Sequence, residues 1–288
     1  MSSSPHPALR AGGVDWIARC REMAASRQTW AARPGGDHWQ KRAGRYAKYG
    51  PGSGRDAFVD RLLARLRPDD VVCDVGAGTG RHVTHVARAV REVIAVEPSP
   101  AMRAELAAMI AREGLTNVKV VADGFPQAEA EARADVVYSA HVFYGAPDPI
   151  AFLEAMTRAA SREAILCLGP RLPSAALDGL YLAVHGHARA DGPGALEALA
   201  LLWQLGCFAD ANVIPNTDRP LTFAPEDEDD IRELCHRLHV DDDADGLARV
   251  RRAVRELGAP IEGEPDRVAF PTVGPNVLIA WPTRAAHL

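Results

Sequence analysis

A glycine-rich segment in the first third of the chain has the residue types that bind a ligand through the backbone. The apolar, β-branched run Val71–Val75 contains Asp74, and Gly76, Gly78 and Gly80 then alternate with small residues before an amphipathic segment. Glycine has no Cβ, so a ligand can lie directly on the backbone N–H groups of such a loop and of the helix that follows. The segment therefore predicts a strand, a nucleotide-binding loop and a helix, in that order.

Acidic residues follow the next two predicted strands. Glu97 ends the run 93–96, and Asp123 follows the run 118–121. In an open α/β sheet the ligand lies at the carboxyl ends of the strands, so both acids are expected beside the glycine loop. A carboxylate at Glu97 can accept hydrogen bonds from both hydroxyls of a ribose, and Asp123 is placed to accept from the exocyclic amine of a purine. The simpler interpretation, acids solvated at strand ends, accounts less well for this regular pattern.

Two kinds of nucleotide cofactor fit such a site, and the residue at one position of the loop distinguishes between them. A dinucleotide loop has the pattern Gly-x-Gly-x-x-Gly, and counting from Gly76 its third glycine would fall at Arg81. The pattern present is instead Asp-x-Gly-x-Gly-x-Gly, from Asp74 to Gly80. With this loop the chain resembles the class I S-adenosylmethionine (SAM)-dependent methyltransferases, well over residues 37–168 and loosely at the end of the chain. The resemblance is strongest over residues 72–80, 93–98 and 120–124.

The resemblance implies a set of residues that bind SAM and its product S-adenosylhomocysteine (SAH), without a metal ion. These residues are Asp74, Gly76, Ala77, Gly78 and Gly80 for the methionine portion, Glu97 for the ribose, Pro98 for the shape of the adenine pocket, Asp123 and Gly124 for the adenine amine, Ala140 for the methyl-transfer side, and Tyr49 near the sulfonium.

The segment after the fourth predicted strand is the candidate acceptor side. The sulfonium is a good leaving group, so alignment of acceptor, methyl and sulfur supplies much of the rate, and a base is needed only if the acceptor loses a proton as it attacks. His141 is the candidate base, with a polar pocket-lining or structural histidine as the alternative. Tyr144 and Tyr46 are the other candidate catalytic residues, because they and Tyr49 could orient an acceptor; packing onto the main domain is their alternative.

Strand and helix patterns alternate as far as residue 168, which predicts a mostly parallel sheet with helices on both faces. The predicted fold class is α/β, a doubly wound, Rossmann-like sheet of seven strands, and the resemblance implies the order 3-2-1-4-5-7-6 with the last strand antiparallel. The helix after the loop is expected over 79–90 with His82 on its surface, and 267–270 and 277–281 are expected to form a terminal hairpin. The expected segments are a disordered leader at 1–13, an N-terminal helical lid at 14–50, a SAM-binding core at 51–170, a helical cap at 171–224, and C-terminal helices with a strand hairpin completing the sheet at 225–288.

Composition favours a cytoplasmic protein, and the predicted aromatic-lined lid and cap suit a compact, partly apolar acceptor. The net charge of −5 weighs against a nucleic-acid partner, and no stretch has the roughly 18 apolar residues of a membrane span. The five cysteines lack metal or redox-motif spacing. We therefore expect transfer of a methyl group to O, N or C of a small-molecule acceptor by in-line displacement, with a homodimer as one assembly open to the chain. Two alternatives stay open, an NAD(P)-dependent oxidoreductase and a non-catalytic SAM-binding subunit.

Overall fold

The computed structural model describes residues 13–31, 43–44, 56–216 and 220–283. Its main sheet has seven strands in the order β3-β2-β1-β4-β5-β10-β6. These strands are β1 (Val71–Val75), β2 (Glu92–Val96), β3 (Val118–Val121), β4 (Ala134–Ala140), β5 (Ala160–Leu168), β6 (Asp210–Ile214) and β10 (Asn276–Pro282). β10 is antiparallel to both β5 and β6, whereas β1 to β5 pair in parallel. The predicted fold class and strand order are confirmed.

Helices cover both faces of this sheet, as its apolar strands require. β1 and β2 are buried along almost their whole length, and a parallel strand buried on both sides needs a helical layer on each face. One layer contains α1 (Trp16–Ala31), α5 (Pro149–Ala159) and α7 (Ala195–Gln204), and the other contains α2 (Ala57–Leu63), α3 (Val83–Ala87) and α4 (Pro100–Arg112). Two apolar cores result, one on each side of the central strands.

The helix after the glycine loop is shorter than predicted. The expected span was 79–90, whereas α3 runs only from Val83 to Ala87. Gly80 has a positive φ of +89°, so the helix cannot begin before the residues that follow it. His82 consequently stands at the N-cap of α3, where it is buried rather than on the predicted helix surface.

A second compact unit is formed by residues 173–190 and 218–273. It has a small antiparallel sheet in the order β7-β9-β8. Its elements are α6 (Asp178–His185), β7 (Leu221–Phe223), α8 (Glu228–Leu238), α9 (Ala244–Leu257), β8 (Ala259–Ile261) and β9 (Glu264–Phe270). Acidic N-caps begin both long helices, Asp227 for α8 and Asp243 for α9, where a carboxylate satisfies backbone donors and favours the helix dipole.

Two sequence expectations for this part of the chain are wrong. β9 and β10 do not form a hairpin, because β9 pairs with β7 and β8 and β10 pairs with β5 and β6. β10 is apolar without alternation, and 278–281 are all buried, which requires cover on both faces and excludes a half-exposed hairpin. Residues 191–214 of the predicted cap belong to the first unit, where α7 covers the main sheet and β6 forms its edge.

The N-terminal helix α1 lies within the predicted lid. Its first backbone N–H, at Trp16, donates to Gln204 Oε1 (2.7 Å), and Gln204 Nε2 donates to Asp15 Oδ1 (3.0 Å). α1 also packs against α5 and the turn Phe143–Gly145. Within the part of the chain that the structure describes, no helix combines the length and the apolar character needed to cross a membrane.

Candidate functional site

The glycine loop leaves β1 in a backbone conformation that most residues avoid. Gly76, Gly78 and Gly80 have φ values of +80°, +58° and +89°, in the left-handed region that glycine adopts without strain. The N–H groups of Gly76 and Ala77 both donate to the carbonyl of Val96, at 2.8 and 3.1 Å. These bonds fix the start of the loop against the end of β2.

The three glycines are required for different reasons. A Cβ on Gly76 would overlap the side chain of Val142, and one on Gly80 would overlap the side chain of Met109. A Cβ on Gly78 would meet nothing within 4 Å. Gly76 and Gly80 therefore permit close packing inside the protein, whereas Gly78 leaves its backbone facing open space in which a ligand can lie.

Glu97 links this loop to the start of α4. The side chain is buried, with the residue 5% exposed, and its Oε2 accepts from Gly78 N–H (2.9 Å) while Oε1 accepts from Ser99 N–H (2.8 Å). Each carboxylate oxygen has a second acceptor position. Glu97 is thus held in place by the backbone beside the loop, at the strand end where the sequence predicts an acid for the ribose hydroxyls.

Asp74 is paired with a residue that the sequence interpretation did not include. Tyr138 lies opposite Asp74 on the neighbouring strand β4, and its hydroxyl donates to Asp74 Oδ2 at 2.7 Å. Asp74 is 2% exposed. Burial raises the pKa of the Asp74 carboxyl to about 7, the Tyr138 hydrogen bond lowers it, and the negative charge of Glu97 raises it. Burial and the neighbouring Asp74 charge also raise the pKa of the Tyr138 hydroxyl, which therefore remains a proton donor.

A small pocket joins the loop to the end of β4. Its lining residues are Gly76, Ala77, Gly78, Thr79, Arg81, His82, Ala140 and His141. The predicted residues Ala140 and His141 are therefore brought together with the loop. Arg81 and His82 also line the pocket, although neither was among the predicted site residues. The hydrophobic pattern predicted a helix that already included both of them, so it did not place them at the pocket.

Asp56 lies close to the side chains of both Arg81 and His82. Its Oδ2 accepts from Arg81 Nη2 (2.5 Å) and lies 3.9 Å from His82 Nε2, while Oδ1 accepts from Val59 N–H as the N-cap of α2. Phe58 packs edge-on against the His82 ring, with centroids 5.1 Å apart. Burial lowers the pKa of the His82 imidazole and the adjacent Arg81 charge lowers it further, so His82 is neutral near pH 7.

His141 lies at the end of β4 in a strained backbone conformation. Its φ is +60°, which is unusual for a residue with a side chain, and its N–H donates to the carbonyl of Cys167 (2.9 Å). The ring Nδ1 lies 3.3 Å from Tyr144 Oη, and the two rings are inclined by 18°. Tyr144 Oη also accepts from the N–H of Gly169. The three strand ends of β4, β5 and β1 thus converge on His141 and the pocket.

Other predicted site residues lie apart from this pocket. Pro98, Asp123 and Gly124 follow β2 and β3 along the same edge of the sheet, and Asp123 is exposed with its Oδ1 accepting from Gly124 N–H (2.7 Å). Tyr46 and Tyr49 lie outside the described residues. No cluster of three or more His, Cys, Asp or Glu among the described residues is placed to hold a metal ion.

Comparison with known proteins finds a matching family and a partial match to a curated enzyme. A family model described as "Methyltransferase domain" matches residues 39–194, which is more than half of the chain. Over 101 residues the chain is 35% identical to a ribosomal RNA small subunit methyltransferase A from Kineococcus radiotolerans, a match that covers 33% of this chain and 34% of that protein. The chain therefore spans about a third of this relative's length.

Two solved structures resemble the fold over most of the chain. The YcgJ protein from Bacillus subtilis has 15% identity and a TM-score of 0.52, covering 79% of this chain and 98% of its own. The BH2331 protein from Bacillus halodurans C-125 has 18% identity and a TM-score of 0.52, covering 80% of this chain and 98% of its own. At these identities the likeness concerns the fold.

Proposed function

The chain belongs to the methyltransferase domain family and is a SAM-dependent methyltransferase, and we propose that its acceptor is a small molecule. The observation that carries the proposal is the recessed position of the candidate acceptor-side groups. Tyr144 is 1% exposed, and the half-buried His141 lines a small pocket with the glycine loop. A compact acceptor can enter such a recess. The net charge of −5 also disfavours RNA, because nucleic-acid binding depends on basic surface.

The residues around the loop fit SAM by their chemistry. Gly78 has open space beside its Cα, the Glu97 carboxylate is held against the Gly78 N–H, and Asp74 supplies a second carboxyl group just before the loop. SAM, when bound, supplies a methyl group activated by the positive charge of its sulfonium. We assign the methionine portion to the loop, the ribose to Glu97, and the adenine to the strand ends that carry Pro98 and Asp123.

The contribution of the protein at the acceptor is orientation and, where needed, removal of a proton. His141 Nδ1 lies within hydrogen-bond distance of Tyr144 Oη, and we assign to the His141 imidazole the removal of the acceptor's proton. Tyr144 is itself anchored by Gly169 N–H, and the backbone of His141 by the Cys167 carbonyl. A side chain held this firmly loses little freedom when it aligns an acceptor, which is the main requirement of an in-line transfer.

The test is transfer of labelled methyl groups from SAM to separated pools of acceptors. Purified protein is incubated with SAM carrying a tritiated methyl group and with a small-molecule extract, total RNA, or a protein extract. We expect label in the small-molecule pool, and we expect Glu97→Ala to abolish it by removing donor binding. Label in the RNA or protein pool would contradict the proposed acceptor class.

The same labelling experiment, together with calorimetry, distinguishes an active enzyme from a non-catalytic SAM-binding subunit. A non-catalytic SAM-binding subunit would bind SAH in calorimetry and transfer label to none of the three pools. The NAD(P)-dependent oxidoreductase that the sequence left open is excluded by the family.

A further inference from the structure

We propose that Asn276 selects the acceptor, because its buried side-chain oxygen accepts a hydrogen bond from an O–H or N–H group beside the atom that is methylated. The inference rests on the small-molecule acceptor proposed above and narrows it to molecules that carry such a donor. Asn276 is the first residue of β10.

Asn276 lies at the edge of the main sheet where the parallel strands end. β10 runs antiparallel to β5, and Val277 pairs with Leu168, the last residue of β5. The start of β10 therefore lies beside the carboxyl end of β5, at the edge where an open α/β sheet binds its ligands. Asn276, one residue before Val277, is next to the segment that follows β5.

Asn276 Oδ1 and Tyr144 Oη lie on the same side of Gly169, the residue that follows β5. A Cβ on Gly169 would stand 3.8 Å from Asn276 Oδ1 and 3.4 Å from Tyr144 Oη. The Tyr144 hydroxyl oxygen accepts from the N–H of Gly169 and lies 3.3 Å from His141 Nδ1. Asn276 Oδ1 is therefore close to the two residues that we assign to the acceptor.

The side-chain oxygen of Asn276 is buried without a hydrogen-bond donor. Asn276 is 8% exposed, and within the part of the chain that the structure describes no group donates to its Oδ1. Asn117 shows the ordinary arrangement, since its Nδ2 donates to the carbonyls of Ala87 and Val90 at 2.8 and 3.1 Å. Buried polar atoms nearly always have a partner, and one without a partner destabilises the fold. A donor on the bound acceptor would satisfy this oxygen.

The chemistry of an amide fits selection of the acceptor and not proton removal. An amide oxygen accepts a hydrogen bond but does not take up a proton near pH 7, so the role of Asn276 differs from that of His141. The torsion about the Cβ–Cγ bond of asparagine is broad, and the oxygen can turn toward a bound molecule while β10 stays in place. A site that hydrogen-bonds a substrate O–H or N–H rejects an analogue without it, because the buried oxygen would then stay unpaired.

The experiment measures methyl transfer by Asn276→Leu, which keeps the shape of the side chain and removes its polar atoms. Initial rates of label transfer from tritiated SAM are measured over a dilution series of the small-molecule extract, which gives the maximal rate and the extract concentration at half of that rate. We expect the half-maximal extract concentration to rise roughly 10- to 100-fold, with a smaller change in maximal rate and unchanged SAH affinity in calorimetry. Asn212→Leu, at an exposed position of β6, is the matched control and should change none of these. An unchanged half-maximal concentration in Asn276→Leu would overturn the proposal.

Urea unfolding of the ligand-free protein distinguishes this role from a structural one. Asn276→Leu removes an unpaired buried polar atom, so its urea midpoint should rise, whereas Asn117→Leu loses hydrogen bonds and should have a lower midpoint. A lowered midpoint in Asn276→Leu, with equal losses of SAH binding and maximal rate, would assign the amide to the fold and overturn the proposal. If Asn276→Leu does not fold, Asn276→Asp, which keeps an acceptor oxygen, is compared with Asn276→Ala, which has none. The proposal then requires a lower half-maximal extract concentration in the Asp variant, and equal values would overturn it.

The pool that takes up label separates this inference from the proposed function. Label from the wild type in the RNA or protein pool would refute the small-molecule acceptor and with it the role of Asn276 proposed for that acceptor. Label in the small-molecule pool that is indifferent to Asn276→Leu would refute the role of Asn276 alone. Label in none of the three pools would refute both.

Discussion

Replacing Asp74 by Asn should make the stability of the ligand-free protein less sensitive to a rise in pH from 4 to 8. Burial, the first cause, and the nearby charge of Glu97 raise the pKa of the Asp74 carboxyl from 3.8 to about 7, although the Tyr138 hydrogen bond opposes them. The folded chain therefore binds a proton that the unfolded chain releases between these two pH values. For a carboxyl whose pKa is raised by folding, stability is fully present below pH 4 and is lost as the pH rises through 7.

The size of the effect follows from the same two values. Each step of one in pKa corresponds to 1.36 kcal/mol, so a change from 3.8 to about 7 costs the wild type about 4 kcal/mol between pH 4 and pH 8. Asn cannot ionise and avoids this cost. It carries an amide N–H₂ that needs its own partner, which costs roughly 1–3 kcal/mol at every pH. The pH-dependent part of the difference is therefore the quantity to measure.

Urea unfolding from pH 4 to pH 8, followed by tryptophan fluorescence without donor, gives this difference. The stability of Asp74→Asn minus that of the wild type should rise by about 4 kcal/mol across the range. Asp69→Asn, at an exposed position in the turn before β1, controls for the loss of one negative charge. A rise below about 1 kcal/mol, or one equal to that of Asp69→Asn, would refute the argument that Asp74 is buried as a costly carboxylate.

Two further results are expected at the loop and at the acceptor side. Gly80→Ala should destabilise the protein by roughly 2–4 kcal/mol in urea unfolding, because its Cβ would overlap Met109 at a φ of +89°, with overpacking and left-handed strain adding. Gly78→Ala should cost only the strain of roughly 1–2 kcal/mol and should instead weaken SAH binding in calorimetry; the reverse ranking of the two variants would contradict the roles assigned to these glycines. His141→Ala should lower turnover 10²- to 10⁴-fold if it acts as a base with SAH affinity nearly unchanged, and Tyr144→Phe should lower turnover less; unchanged turnover in His141→Ala would remove it as the base.

The strands of the main sheet could be predicted from short sequence patterns, because the residues at the end of each strand are characteristic of a strand that ends there. The apolar run before Asp74, the acid at Glu97 and the proline after Ser99 are all encoded within a few residues, and they identify strand, loop and cap without knowledge of the rest of the fold. The ends of parallel strands must meet at one edge, so the acids and the loop were expected together. The order of the seven strands came from the family resemblance and could not be read from periodicity.

Pairings between distant segments were beyond the sequence. Tyr138 is 64 residues from Asp74 and stands in an apolar strand, where an aromatic residue is ordinarily a packing residue. His82 was expected on a helix surface because the amphipathic pattern extends past the left-handed turn at Gly80, and only the shortened α3 buries it. The sequence of β10 did indicate its position, because an unbroken apolar run predicts a strand covered on both faces and not one strand of an exposed hairpin.

Two of the groups proposed to bind the donor, Asp74 and Glu97, also lower the stability of the folded protein. Asp74 and Glu97 are two carboxylates buried near each other, and their mutual repulsion contributes to the raised pKa of Asp74. Neutral donors offset part of this repulsion, namely the Tyr138 hydroxyl and the N–H groups of Gly78 and Ser99. A cation in place of those donors would stabilise the empty site further and would leave less negative charge for a cationic ligand. Arg81 pairs instead with Asp56. The strand ends therefore carry negative charge where a sulfonium and an ammonium would bind, and binding of the donor would recover stability that this charge costs the ligand-free protein.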